Sequence, residues 1–183
     1  MQNNVVYEGT TKPNLPVVIR YPNENDAKAM CDYINTLSQE KTYITYQGEK
    51  IELKDEEEYL KGQLEQIVNH ESVQLLVFVN GRLSGISSVE LGKRVKEHIG
   101  VFGISISKKH RGKGLGKLLM ELILIEAKEN LPRLKIVTLE VMAVNLKGIK
   151  MYKKFGFKKY ANLPEGNKYK GEFVDDLSMY KKI

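Results

Sequence analysis

The spacing of apolar positions changes several times along the chain, and each change marks an element. Val17–Arg20 is a short apolar run that predicts a strand. Asn25 or Asp26 then stands where a helix cap belongs, opening a helix to about Ser38. Thr42–Ile51 has no period. Asp55 starts a second helix to about Asn69, with acidic residues in the first turn, where the macrodipole favours them, and an apolar face at Leu64, Ile67 and Val68. Gln74–Val79 is apolar and stops at Asn80-Gly81, a pair that favours a two-residue hairpin, so Arg82–Leu91 reads as the return strand. Lys93–Glu97 is a charged turn. Ile99–Ser107 is a third strand, weakened by Gly100 and Gly103, since glycine within a strand marks a bulge or a close backbone approach.

A helical pattern follows, with Leu115, Leu118, Leu119, Leu122, Ile123 and Ile125 on or near one face, and Pro132 stops it. Lys135–Val141 is an apolar strand. Asn145 caps a short helix to about Phe155, which Gly156 closes. Phe157–Tyr160 and Phe173–Tyr180 are the final strands, around a loop at Asn162–Gly171. The succession predicts an α/β fold, a mixed sheet with helices packed over it.

With 183 residues, 42% of them hydrophobic, and no repeat or low-complexity linker, the chain suits a single domain, 1–183. The net charge of +6 suits an anionic ligand, but no recognition helix or stacking motif accompanies it, so nucleic acid is not an expected partner. The single cysteine, Cys31, forms no internal disulfide and reads as a buried packing residue in a reduced compartment. Met1–Thr11 lacks the apolar run of a leader. Leu118–Ala127, interrupted by Glu121 and Glu126, is too short to span a bilayer. A cytoplasmic protein without a membrane partner is expected.

The richest segment is Arg111-Gly112-Lys113-Gly114-Leu115-Gly116, between a strand and a helix. Three alternating glycines leave the backbone open. The first helical turn carries unpaired N–H groups and the positive end of the dipole, a cradle for phosphate or pyrophosphate. Lys109, Arg111, Lys113 and Lys117 add positive charge. A dinucleotide fingerprint needs G-x-G-x-x-G, and a nucleoside-triphosphate loop G-x-x-x-x-G-K-[ST]; neither is present.

This turn resembles the [RQ]-x-x-G-x-[GA] motif of GNAT acetyltransferases, and Asn145, Tyr152 and Gly156-Phe157 resemble that family's second block. The resemblance covers roughly Gln74 to Lys181. Gly148, where many relatives carry alanine, and Lys108, where many carry proline, depart from it. It implies a mostly antiparallel central sheet with helices on both faces, the GNAT fold. It also implies acetyl-CoA as co-substrate: its pyrophosphate on the amides of Arg111–Gly116, with Lys117 beside them, and its pantetheine arm along Ile104-Ser105-Ile106 and at Asn145. Residues 73–183 would then be the acetyl-CoA-binding and catalytic core, and 1–72 a variable part shaping the acceptor site.

Amide formation needs a neutral amine and a leaving thiolate. At pH 7 only on the order of 10⁻³ or less of a lysine-like amine is neutral, so a positioned base helps. Glu140 stands within the otherwise apolar Leu139-Glu140-Val141, where a carboxylate is costly unless it faces a cleft or a partner. The spacing Glu140…Asn145…Tyr152 resembles the branch of ribosomal-protein alanine N-acetyltransferases, which implies Glu140 as base and Tyr152 as acid. Glu90 is the alternative base. Donation from tyrosine to a thiolate is uphill by roughly 2 kcal/mol on reference values, so a hydrogen bond to the departing sulfur is the alternative description. His70, His98 and His110 are too scattered for a metal site, and no metal is expected. The acidic stretch Glu172–Asp176 is either an amine-holding patch or a solvated turn. Asp55–Glu58, Tyr43 and Tyr46 are placed by chain position at the acceptor cleft. An amine acceptor, either a peptide N-terminus or a small molecule, is the expected partner, with a homodimer left open. A non-catalytic acyl-CoA sensor is the rival, although a sensor needs neither Tyr152 nor Glu140.

Overall fold

The computed structural model describes residues 5–11 and 14–183. The start of the polar segment Met1–Thr11, read above as lacking a leader, lies outside them. Among the described residues there are eight strands and four α-helices, and no helix is long and apolar enough to cross a membrane. They fall into two compact units, Met1–Glu90 with Gly103–Pro132, and Leu91–Phe102 with Arg133–Ile183.

The first unit holds β1 (Val5–Thr11), β2 (Leu15–Arg20), α1 (Ala27–Gln39), α2 (Leu53–Val68), β3 (Ser72–Val79), β4 (Arg82–Leu91), the end of β5 (Ile99–Ile106) and α3 (Leu115–Asn130). Strands β1 to β4 are consecutive antiparallel neighbours. The β3–β4 turn is the expected hairpin, with Asn80 and Gly81 at φ 49° and 73°. Side chains of β3 alternate between two faces. Leu76 joins Ala27 and Met30 of α1 and Leu60 of α2 in one cluster, with Phe78 packed against it. The intervening Val73, Leu75, Val77 and Val79 are also buried. They face the opposite side, which is covered by α3, the other helix packed on β3. Helices thus cover both faces of the sheet.

The second unit contains the start of β5, β6 (Ile136–Met142), α4 (Leu146–Lys154), β7 (Lys158–Tyr169) and β8 (Glu172–Lys182). The β5–β6 pair is parallel, from Ile99 opposite Ile136 to Val101 opposite Thr138; β6–β8 and β7–β8 are antiparallel. The sheet is therefore mixed and mostly antiparallel, as expected.

Several elements differ from the sequence reading. Strand β1 was not anticipated. Asp26 stands at the N-cap of α1, as expected, but its side chain makes no cap bond to that helix; the side-chain cap is Asn23, which accepts from Asn25 N and, with Asp26, closes a capping box on a short turn ahead of α1. Asp26 is instead buried against Arg20, with two bonds of 2.7 Å. Val68 and Ile125 are 56% and 46% exposed, so neither belongs to a buried stripe. The expected loop Asn162–Gly171 is mostly strand: β7 runs to Tyr169 and turns at Lys170-Gly171, at φ 53° and 90°. β7 is exposed along most of its length, so neither face carries the alternation that reveals a strand.

Candidate functional site

The glycine-rich turn follows β5 and a single 3-10 turn, Lys108–His110. Gly114 is the residue before α3, in the left-handed region at φ 84°, and no side chain caps the helix. The first intrahelical bond runs from Leu118 N to Gly114 O at 3.1 Å, so the amides ahead of Leu118 lie at an open helix end. Gly112 also has positive φ, 76°, and a Cβ added at Gly112 or Gly114 would meet nothing within 4 Å. Side chains here would strain the backbone and fill open space above the amides. An uncapped, glycine-opened helix start suits an anion by its free amides and by the dipole.

Charge on the turn agrees. His110 is held below its usual pKa, first by burial and then by the charges of Lys113 and Lys109. Its Nδ1 lies 3.1 Å from Ser107 Oγ. Arg111 has a different part from the one its charge implied: its Nε donates to Ile106 O at 2.8 Å, and its guanidinium pairs with Glu40 at the end of α1. Glu40 also accepts from Lys108 N at 3.1 Å. Arg111 therefore clamps the turn. Beside it, Ser105 Oγ lies 2.9 Å from the hydroxyl of Tyr33, a buried residue of α1. The structure thus gathers Ile104, Ser105, Ile106, Arg111, Gly112, Lys113, Gly114, Leu115, Gly116 and Lys117 into one continuous strand, turn and helix start.

In the second unit, Asn145 opens α4 by accepting from Gly148 N at 3.0 Å. A Cβ at Gly148 would stand 2.7 Å from Asn145 Nδ2, which accounts for glycine there. Gly156, at φ 88°, closes the helix, and Phe157 N bonds to Tyr152 O at 3.0 Å. Tyr152 is buried, edge-on to Phe102 at 6.1 Å and tilted against Phe157 at 6.2 Å. Burial pushes its phenol up to about 12. Glu140, on β6 opposite Ser178 of β8, is exposed.

The GNAT acetyltransferase family model matches residues 34–157, about two thirds of the chain and inclusive of both motif blocks. The chain belongs to this family.

The L-amino acid N-acetyltransferase AaaT of Escherichia coli K12 is 31% identical over 110 residues, 58% of this chain. The match spans 65% of that relative, just under two thirds of its length. A GNAT-family acetyltransferase from Streptococcus pneumoniae superposes with a TM-score of 0.83 at 28% identity, over 91% of this chain and 99% of that one. The ribosomal L7/L12 alpha-N-protein acetyltransferase RimL, solved in complex with coenzyme A, superposes at 0.77 with 12% identity over 98% of each chain, and shows the shared fold.

The segment between α1 and α2 has no regular structure, yet α1 grips it. Asn35 donates to Ile51 O at 2.9 Å and accepts from Ile51 N at 2.8 Å, and Ser38 bridges Glu49 O and Gly48 N at 2.7 and 2.9 Å. Glu90 accepts from Gln63 of α2 at 2.9 Å and from Ser88 at 3.4 Å. Asp175, in the C-terminal acidic stretch, holds Asn162 Nδ2 and Glu165 N at 2.9 and 3.2 Å, bonds that pull its carboxyl below its usual range. Glu40, Tyr33 and Gln63 were missed in the sequence. Glu40 alone left a trace, as an acidic residue at a helix C-terminus, where the dipole disfavours it.

Proposed function

We propose that this protein transfers the acetyl group of acetyl-CoA to a primary amine. The observation that carries this reading is the uncapped, glycine-opened start of α3 directly after β5, in a chain of this family. In this reading, main-chain amides at Gly114–Lys117 take the pyrophosphate, with Lys113 and Lys117 adding charge. The backbone of Ile104–Ile106 pairs with the pantetheine arm. Asn145 keeps its cap through Oδ1 and has Nδ2 free to donate to the arm.

Tyr152 supplies a donor for the departing sulfur. With its phenol near 12, complete proton transfer to a thiolate near 8.5 would be uphill by roughly 5 kcal/mol. A hydrogen bond that strengthens as charge develops on sulfur needs no such transfer, and a preorganised donor in a buried site is effective. Glu140, exposed on β6, takes the amine proton directly or through water. Glu90, fixed by Gln63 and Ser88, is the alternative.

The test is thiol release from acetyl-CoA against a panel of small amines and peptide N-termini. Wild type should release thiol with at least one acceptor. Tyr152→Phe should keep acetyl-CoA affinity while kcat falls at least tenfold. Glu140→Gln should lose turnover at pH 7 and recover much of it at higher pH, as more amine becomes neutral. Alkaline rescue of Glu90→Gln instead would move the base to β4, and parental turnover in Tyr152→Phe would remove the hydroxyl from the rate-limiting step.

A further inference from the structure

The face of the β3–β4 ladder turned towards α1 and α2 changes character along its length. At one end it is apolar, with Leu76 opposite Ile86 and with Phe78 and Leu83, beneath Leu60 and Leu64 of α2. At the other it is polar, with Gln74 opposite Ser88 and Ser72 opposite Glu90. Helix α2 changes in step, because Glu56, Tyr59 and Gln63 recur at helical spacing on its inner side. Ser72, Gln74, Glu56 and Gln63 are buried at 1%, 1%, 7% and 2% exposure. Polar groups in a core are costly unless hydrogen-bonded, so a purely structural cluster should satisfy itself.

This one does not, and the groups it leaves unmet include acceptors. Three donations stay inside the cluster. Ser72 Oγ donates to Gln63 Oε1 at 3.1 Å, Gln63 Nε2 to Glu90 at 2.9 Å, and Gln74 Nε2 to the Tyr59 hydroxyl at 2.9 Å. Acceptors remain. Gln74 Oε1 is buried without a partner. Glu56 has no hydrogen bond or ion pair, and burial alone raises its carboxyl. Burial and the charges of Glu90 and Glu56 together push the Tyr59 phenol up to about 12, so both carboxylates act on this one hydroxyl. Tyr59 is itself 44% exposed, which opens the cluster to solvent. Two carboxyl groups and an unmet carboxamide oxygen around one partly exposed hydroxyl suit a donor-rich cation, and an alkylammonium brings three N–H donors and one positive charge.

We propose that Glu56, the Gln74 carboxamide oxygen and Glu90 form a binding site for an alkylammonium group of the acceptor. The proposal rests on the acetyl-transfer reading for the word acceptor. An amine held here as a cation is not the nucleophile, which must be neutral, so the acceptor class is a diamine or polyamine. A carboxylate beside the bound group would meet Glu56 and Glu90 and be repelled, which disfavours free amino acids. Glu90 is then a binding group rather than the base.

Three four-carbon probes differ in one terminus only: 1,4-diaminobutane, 4-aminobutan-1-ol and 4-aminobutanoate. Thiol release from acetyl-CoA should favour the diamine at least tenfold in kcat/KM over both others, because each probe carries an ammonium but only the diamine can seat one here and still present a second nitrogen to the thioester. Glu56→Gln should lose that discrimination while keeping acetyl-CoA affinity and a melting temperature no lower than the parent, since it removes an uncompensated buried charge. Glu90→Gln should raise KM for the diamine without alkaline rescue of kcat. Equal kcat/KM for the three probes with the wild type, or discrimination intact in Glu56→Gln, would overturn the site. If calorimetry shows the diamine bound by the wild type and not by Glu56→Gln, but no thiol is released from acetyl-CoA, the site stands and the transfer reading fails. If thiol release proceeds equally with all three, transfer stands and the site fails.

Discussion

The turn at Arg111–Lys117 and the polar face of α2, β3 and β4 lie in the same compact unit and are built in opposite ways. The turn is made of main chain. Gly112 and Gly114 contribute absent side chains and positive φ, and the groups proposed to hold the ligand are amides that almost every residue possesses. The polar face is made of side chains at positions 56, 59, 63, 72, 74 and 90, brought together by helix spacing and strand register. A main-chain site fixes a short spacing in the sequence, because only certain residues permit the backbone shape. A side-chain site can be spread over many positions, and it sets what is chosen rather than what is always bound.

If this contrast holds, disturbing what supports the turn should affect coenzyme A and leave the polar face alone. Glu40 fastens the turn through Arg111 and Lys108 N. Glu40→Gln should weaken acetyl-CoA binding by about 3–10-fold, because the loop loses preorganisation, and should not alter discrimination among acceptor amines. Tighter acetyl-CoA binding in this variant would mean that Glu40 competes with phosphate for Arg111. Titration calorimetry with each ligand separates the outcomes.

A smaller effect should appear in stability against pH. Burial raises the Glu56 carboxyl above its ordinary value of 4.5, so the folded chain holds this proton more tightly than the unfolded one. The stabilisation it contributes is full below about pH 4.5 and is lost as pH rises through the raised value. Melting curves of wild type and Glu56→Gln should therefore diverge upward from pH 4.5, with the variant the more stable by a few degrees at neutral pH. Coincident curves would show that Glu56 is not burdened by burial.

What was legible in the sequence follows the same division. Asn80-Gly81, Asn145, Gly156 and the turn at Gly112–Gly116 were read correctly because each is a local backbone requirement met by a particular residue type. The start of β7 is legible at Phe157–Tyr160, but its continuation from Asn162 reads as a loop because the strand is exposed along most of its length, and the turn Lys170-Gly171 lacks the usual asparagine or aspartate. Asn23 was passed over for Asn25 and Asp26, since three candidates crowd one helix start and Asp26 is drawn inward by Arg20. The pairing of Tyr33 with Ser105 and of Glu40 with Arg111 spans about 70 positions, and nothing in either segment announces the other.

The central claim is that backbone amides at the start of α3 hold the pyrophosphate of acetyl-CoA. The direct measurement is the affinity of the wild type for acetyl-CoA and for S-acetylpantetheine, which lacks the pyrophosphate and nucleotide, repeated in Gly114→Asp. Wild type should bind acetyl-CoA at least 100-fold more tightly. Gly114→Asp, which places a carboxylate over the amides and strains the φ of 84°, should bring the two ligands close to equal affinity while leaving the melting temperature of the unliganded chain within a few degrees. An acetyl-CoA advantage that survives intact in Gly114→Asp would contradict the assignment of the turn, and with it the account of where this protein holds its co-substrate.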